Sequence, residues 1–256
     1  METLKVIKIG GNVIDNPDAL ERFLEKFAAI PGAKILVHGG GAIANRVLTR
    51  LGIEPVMIEG RRVTDDSTLD VVTAIYAGLI SKNIVATLQK FGCNAAGISG
   101  ADCNAITSKK RPAVPIDYGF VGDVESVNRE AFSMFLAGGV TPVVCAINHD
   151  GKGTLLNTNA DTIASSIATA MSQRYDTSLI LCFEKDGVLL DKDDDNSLIA
   201  KLNRERYEQL KADGSISAGM LPKLKNAFSA LDCGVSEVII KNSDNILNSK
   251  GTVITK

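Results

Sequence analysis

Two glycine-rich turns carry the clearest chemical signal in the sequence. Lys8-Ile9-Gly10-Gly11-Asn12 and His38-Gly39-Gly40-Gly41-Ala42 each close a short apolar run and open a stretch with helical periodicity. A glycine turn feeding a helix N-terminus leaves backbone N–H groups facing outward, where an anion can sit. One such turn is an ordinary strand-to-helix connection. Two suit a ligand with several oxygens, such as a phosphoryl group being passed to a carboxylate. Lys8 ends an otherwise apolar run. Burying an ammonium there without a partner costs several kcal/mol, which a ligand anion removes; the alternative is a lysine that snorkels into water.

Four further stretches could join such a site. Gly60-Arg61-Arg62-Val63-Thr64 offers arginine, whose planar fork matches a carboxylate, although an arginine pair can equally be a solvated surface feature. Asn157-Thr158-Asn159-Ala160-Asp161 reads as a helix start, with Asn159 as N-cap and Asp161 in the first turn. The functional alternative has Asn157 donating to a substrate and Asp161 orienting nearby lysines. Lys223 follows Pro222 just inside a helix, where a cation opposes the macrodipole; a bound phosphate accounts for it, and so does an ammonium extended into water. Cys182-Phe183-Glu184-Lys185-Asp186-Gly187-Val188-Leu189 ends a strand in a turn able to grip a nucleotide or merely to connect. No GxxxxGK[ST] phosphate loop is present.

Composition narrows the classes. The 256 residues are 45% apolar, enough for one large or two small domains. Lys+Arg 28 against Asp+Glu 30 leaves a net charge of -2, so no basic field draws a nucleic acid or an anionic membrane. With His 2 and Cys 5, and no CxxC spacing, zinc chemistry has almost no ligands, and no metal-ligating residues are assigned. Reduced thiols, and an N-terminal apolar stretch too short for a signal peptide, point to a cytoplasmic protein. The apolar stretch from Ala131 to Ile147 is broken by Gly138, Gly139, Thr141 and Pro142 and falls short of a membrane span. The acidic run from Asp191 imitates a calcium loop but has Asn196 and Leu202 where Gly and Glu are required, and reads as a solvated hairpin tip.

The elements that must position these residues follow from periodicity. Leu4–Ile9, Lys34–His38, Asn94–Ile98, Pro142–Ile147, Ser178–Phe183 and Glu237–Ile240 read as strands. Asp18–Ile30, Ala42–Leu51, Ser67–Phe91, Arg129–Ala137, Ala160–Gln173, Arg204–Asp213 and Ala218–Leu231 read as helices. Strands apolar on both faces imply burial on both faces. The expected fold class is therefore α/β, a three-layer αβα sandwich with a central, mostly parallel open sheet. Val56–Thr64 and Ile106–Val127 read as hairpins and loops at the sheet's working edge.

Taken together and in order, the five stretches around Lys8, Gly40, Arg62, Asn157 and Lys223 resemble the amino acid kinase family over essentially the whole chain. The resemblance implies MgATP-dependent phosphorylation of the side-chain carboxylate of N-acetyl-L-glutamate, a step of arginine biosynthesis, by a homodimer. It implies a lobe at 1–175 for the acyl-glutamate and dimerisation and a lobe at 176–256 for the nucleotide, on one continuous sheet. Lys8 and Lys223 are then catalytic, with Asp161 holding both. Gly40, Gly41, Arg62 and Asn157 bind the acceptor. Gly10 and Gly11, together with Glu184, Lys185, Asp186, Gly187, Val188, Leu189, Ser215, Ile216 and Ser217, bind ATP with its Mg²⁺.

The Glu184-Lys185-Asp186 stretch departs from the family's usual pattern. The start of the chain directly at strand one implies no feedback inhibition by arginine. Arg61 stands where the family is usually apolar, which raises N-succinyl-L-glutamate as an alternative acceptor. Two readings of other classes are also open. Gly39-x-Gly41-x-x-Ala44, with Glu59 further on, imitates a dinucleotide fingerprint and would suit an oxidoreductase. The His38–Gly41 stretch imitates an esterase oxyanion turn, but Gly97-Ile98-Ser99-Gly100-Ala101 misplaces the glycine that a nucleophile elbow needs.

Overall fold

The computed structural model describes residues 1–191, 193–194, 196–216 and 220–256. Its strands are β1 (Thr3–Ile9), β2 (Ala33–His38), β3 (Met57–Ile58), β4 (Arg61–Arg62), β5 (Ala95–Ile98), β6 (Ile106–Lys110), β7 (Gly122–Val127), β8 (Thr141–Val144), β9 (Ile147–His149), β10 (Leu155–Asn157), β11 (Asp176–Phe183), β12 (Lys201–Leu202), β13 (Glu237–Asn242) and β14 (Thr252–Ile254). The helices are α1 (Gly11–Asp15), α2 (Pro17–Ala28), α3 (Gly41–Arg50), α4 (Asp66–Thr73), α5 (Ser81–Lys90), α6 (Arg129–Ala137), α7 (Ala160–Met171), α8 (Arg204–Ala212) and α9 (Leu221–Asp232). The α/β class, with a large, mostly parallel sheet flanked by helices, is the one the sequence implies.

Two compact units divide the chain, one of residues 1–34 and 164–256, the other of residues 35–163. In the first, the strands run in the order β12-β14-β13-β11-β1. β1 lies parallel to β11 in register from Thr3↔Asp176 to Ile9↔Cys182, so the first strand of the chain belongs with its C-terminal part. β14 is antiparallel to β13 but parallel to β12. Leu4, Val6, Ile7 and Ile9 are fully buried. Successive strand residues point to opposite faces, so both faces of β1 are covered. Each such side chain contributes about 1.5–3 kcal/mol relative to exposure.

In the second unit, β2, β8 and β5 are parallel neighbours. A separate four-stranded sheet runs β10-β9-β6-β7, and β3 and β4 form a short hairpin. The single strand expected at Pro142–Ile147 is two. β8 ends at Val144, and β9 begins at Ile147 in the other sheet. All the residues between are buried, so hydrophobicity gives no sign of the break. The helix expected over Ser67–Phe91 is α4 and α5 joined by a π-helical stretch, Ala74–Ile80. Residues 66–90 also form the one described helix long and apolar enough to cross a membrane by length and composition.

Candidate functional site

In the second unit the turn after β2 is the floor of a pocket. Gly40 starts α3 with φ 151°, in the region that favours glycine, and a Cβ there would lie 2.2 Å from Ile80 Cδ1 and 3.1 Å from Tyr76 Cδ1. No other residue fits without displacing the π-helical stretch. Behind the turn, His38 is fully buried. Its Nδ1 lies 2.8 Å from Gly39 O, which can only accept, so Nδ1 carries a proton and donates it. Burial outweighs that bond and pushes the imidazole pKa down to about 4.

Arg62 is delivered by the β3–β4 hairpin, opposite Met57. It is 5% exposed, and its Nη2 donates to Gly41 O at 3.1 Å. Nε and Nη1 are buried and have no hydrogen-bond partner among the described residues. A buried guanidinium with these donors unspent is arranged for a carboxylate, which can accept from Nε or Nη1 together with the second N–H of Nη2. Its backbone is held by a relay in which Asn157 Nδ2 donates to Thr64 Oγ1 at 3.1 Å and Thr64 Oγ1 donates to Arg62 O at 2.9 Å.

Asn157, on β10, is 8% exposed. Gly40, Gly41, Arg62 and Asn157 thus line one pocket of about 150 Å³, with Arg61, Tyr76 and Thr158 also in its wall. Tyr76 carries a phenol pKa raised by burial, with the Arg62 charge working against the rise. Thr158 is 4% exposed and its Oγ1 has no hydrogen-bond partner among the described residues. Asp161 is in the first turn of α7, whose first N–H groups are capped by Asn159; its Oδ1 accepts from Asp161 N at 2.9 Å and Thr162 N at 3.1 Å.

In the first unit, Lys8 is 9% exposed near the end of β1. Its Nζ lies 5.2 Å from the centre of the Phe183 ring, and the Nζ of Lys223, in the first turn of α9, lies 3.7 Å from the same centre. The sum of those distances bounds the separation of the two ammonium groups, which come from opposite ends of the sequence. Gly10 does not offer its own N–H to a ligand. That donor goes to Cys182 O at 3.2 Å, and Gly11 is the first residue of α1.

A second cavity, of about 450 Å³, is lined by Lys185, Gly187, Leu189, Ser215 and Ile216 among the expected nucleotide residues. Ser217 lies outside the described residues. Glu184, Asp186 and Val188 do not line it and instead tie the strand-end loop to the C-terminal segment. Asp186 accepts from Asn245 Nδ2 at 2.8 Å and pairs with Lys250 Nζ at 2.5 Å. Asn242 Nδ2 donates to Glu184 O at 2.6 Å, and Val188 N donates to Thr252 Oγ1 at 2.8 Å. Leu190, Asp191, Gly214 and Met220 also line the cavity, and sequence reading assigned none of them to the nucleotide. Tyr76 was missed, because it carries no group that phosphoryl chemistry asks for, and Phe183, inside the stretch from Cys182 to Leu189, was given no role of its own. Among the described residues, no group of three His, Cys, Asp or Glu could hold a metal ion.

Residues 3–242 match the family model of the amino acid kinase family. The chain is 51% identical over 260 residues to an acetylglutamate kinase of Cytophaga hutchinsonii, covering 100% of this chain and 98% of that protein. It is 50% identical over 255 residues to an acetylglutamate kinase of Phocaeicola vulgatus, covering 100% and 99%. Among solved structures, smu.665 from Streptococcus mutans superposes with a TM-score of 0.78 at 27% identity, covering 98% of each chain.

Proposed function

The chain belongs to the amino acid kinase family, and from that premise we propose that it transfers a phosphoryl group from ATP to the side-chain carboxylate of N-acetyl-L-glutamate, giving N-acetylglutamyl 5-phosphate for arginine biosynthesis. The observation that carries the reading is the pocket in which Arg62 keeps two buried donors unspent beside the Gly40 turn. In this reading Gly40, Gly41, Arg62 and Asn157 hold the acceptor. Gly11, Lys185, Gly187, Leu189, Ser215 and Ile216 hold the nucleotide.

The reaction asks little covalent chemistry of the protein. Positioning the reactants and stabilising charge on the migrating group supply the rate. An acceptor carboxylate is already ionised at neutral pH, so no general base is needed. Neither histidine lines either cavity, and His38 stays neutral. Lys8 and Lys223 supply positive charge to the phosphoryl oxygens, and Asp161 is assigned their counter-charge. Magnesium enters as part of the MgATP substrate, where it would neutralise charge on the phosphate oxygens.

The alternatives gain nothing from the relatives, which are named acetylglutamate kinases. Gly40, between the two glycines of the dinucleotide-like turn, is walled by Tyr76 and Ile80, and Ser99 Oγ donates to Asp102 at 2.8 Å rather than to a histidine. We assign the enzyme to the cytoplasm as a homodimer. Light scattering in solution tests the assembly. The activity itself is tested by coupled ADP release with N-acetylglutamate, N-succinylglutamate, aspartate, carbamate and UMP. Turnover with the N-acetyl compound above all others is expected. Folded protein that binds ATP but turns over none of them removes the assignment.

A further inference from the structure

The strand β11 is aliphatic through Leu179, Ile180 and Leu181, then ends in Cys182 and Phe183. Phosphoryl transfer requires no aromatic group at that place, yet the two lysines converge on this ring, at 3.7 and 5.2 Å from its centre. Both distances fall inside the range of about 6 Å over which an ammonium is drawn to the electron-rich face of a benzene ring. Two physical difficulties arise when like-charged lysines share a small space. They repel each other, and each must give up the rotamer freedom of a long side chain to point the same way. An aromatic face answers both. It carries partial negative charge without a formal charge of its own, and so attracts both cations without itself neutralising either.

We propose that Phe183 is a positioning residue for the transfer, its ring holding the Lys8 and Lys223 ammonium groups side by side before the phosphoryl group arrives. The proposal rests on the reading that these two lysines serve the transfer. A carboxylate at position 183 would hold the lysines more strongly, but would compete with the phosphate for them and neutralise charge that the reaction uses. A leucine would fill the space without attracting either. The ring does neither, and its contribution is electrostatic rather than volumetric, which makes it separable from simple packing.

The test replaces Phe183 with 4-fluoro-, 3,5-difluoro- and 3,4,5-trifluorophenylalanine, which keep the shape of the ring while withdrawing its π charge. Lys8→Met and Lys223→Met are measured alongside. The expected result is a stepwise fall in kcat with each fluorine, reaching about tenfold. The melting temperature and KM for N-acetylglutamate stay unchanged, Phe183→Leu equals the trifluoro variant, and Phe183→Tyr restores the rate. A flat kcat across the fluorinated series, with each lysine variant losing a hundredfold or more, overturns the proposal and leaves the lysine reading standing. Wild-type kcat in the lysine variants overturns the lysine reading itself, and the role of the ring with it.

Discussion

Replacing Arg62 by lysine separates charge from geometry in the acceptor pocket. The guanidinium uses one donor on Gly41 O and keeps Nε and Nη1 buried and unspent. When a carboxylate binds, one of those donors and the second N–H of Nη2 form a bidentate, charge-assisted pair. Each hydrogen bond to a charged group is worth about 1.5–3 kcal/mol. Lysine keeps the positive charge but presents a compact ammonium on a flexible stem and cannot reproduce the fork. Losing one of the two bonds to the acceptor costs binding about 2 kcal/mol, or roughly thirtyfold at 1.36 kcal/mol per tenfold. Arg62→Lys is therefore expected to raise KM for N-acetylglutamate about thirtyfold while kcat at saturation and KM for ATP change less than threefold. Steady-state ADP release with each substrate varied in turn reads all three. An unchanged acceptor KM, or a rise in the KM for ATP instead, refutes the assignment of these donors to the acceptor.

Other perturbations follow from the same geometry. Gly40→Ala places a Cβ 2.2 Å from Ile80 Cδ1 at a φ of 151°, so chemical denaturation should show a loss of about 2–4 kcal/mol, partly recovered by adding Ile80→Ala. Burial holds His38 near pKa 4 against 6.5 when unfolded, so between those pH values the unfolded chain binds more protons and stability falls as pH falls. The full loss is about 3 kcal/mol. His38→Asn, which keeps a donor for Gly39 O but does not titrate, should flatten that slope in denaturation curves taken from pH 7 to pH 4. Thr252→Val removes the acceptor of Val188 N and the donor to Ile199 O and should raise KM for ATP several-fold with the acceptor KM unchanged, as kinetics with ATP varied would read.

The parts of this architecture legible in the sequence are those written locally. β1, β2 and β11 are continuous apolar runs that parallel pairing buries on both faces, and the Gly40 turn stands out because few other residues can enter it. The four-stranded sheet was not legible beyond its hairpin. Its members include Ile-Thr-Ser-Lys-Lys at β6 and Leu-Leu-Asn at β10, too short and too polar to signal strands, and β6 pairs with β9 far along the chain. The π-helical stretch at Ala74–Ile80 leaves no mark in an apolar sequence whose neighbours all have helical periodicity. The acceptor residues Arg62 and Asn157 could be named because their chemistry is suggestive on its own. Their joint support through Thr64 could not, since it depends on residues 93 apart meeting through side chains. The partition of Glu184–Leu189 was hidden for a related reason. Alternate residues of a loop face opposite ways, and only Asn242, Asn245, Lys250 and Thr252 decide which way is the cavity.

The most direct test of the account is a crystal structure with MgADP, N-acetylglutamate and aluminium fluoride, which occupies the place of the migrating phosphoryl group. The account predicts the Nζ atoms of both Lys8 and Lys223 at hydrogen-bond distance, about 3 Å, from the fluoride ligands. A complex with the acceptor and nucleotide in place but either lysine turned away from the aluminium fluoride would contradict it.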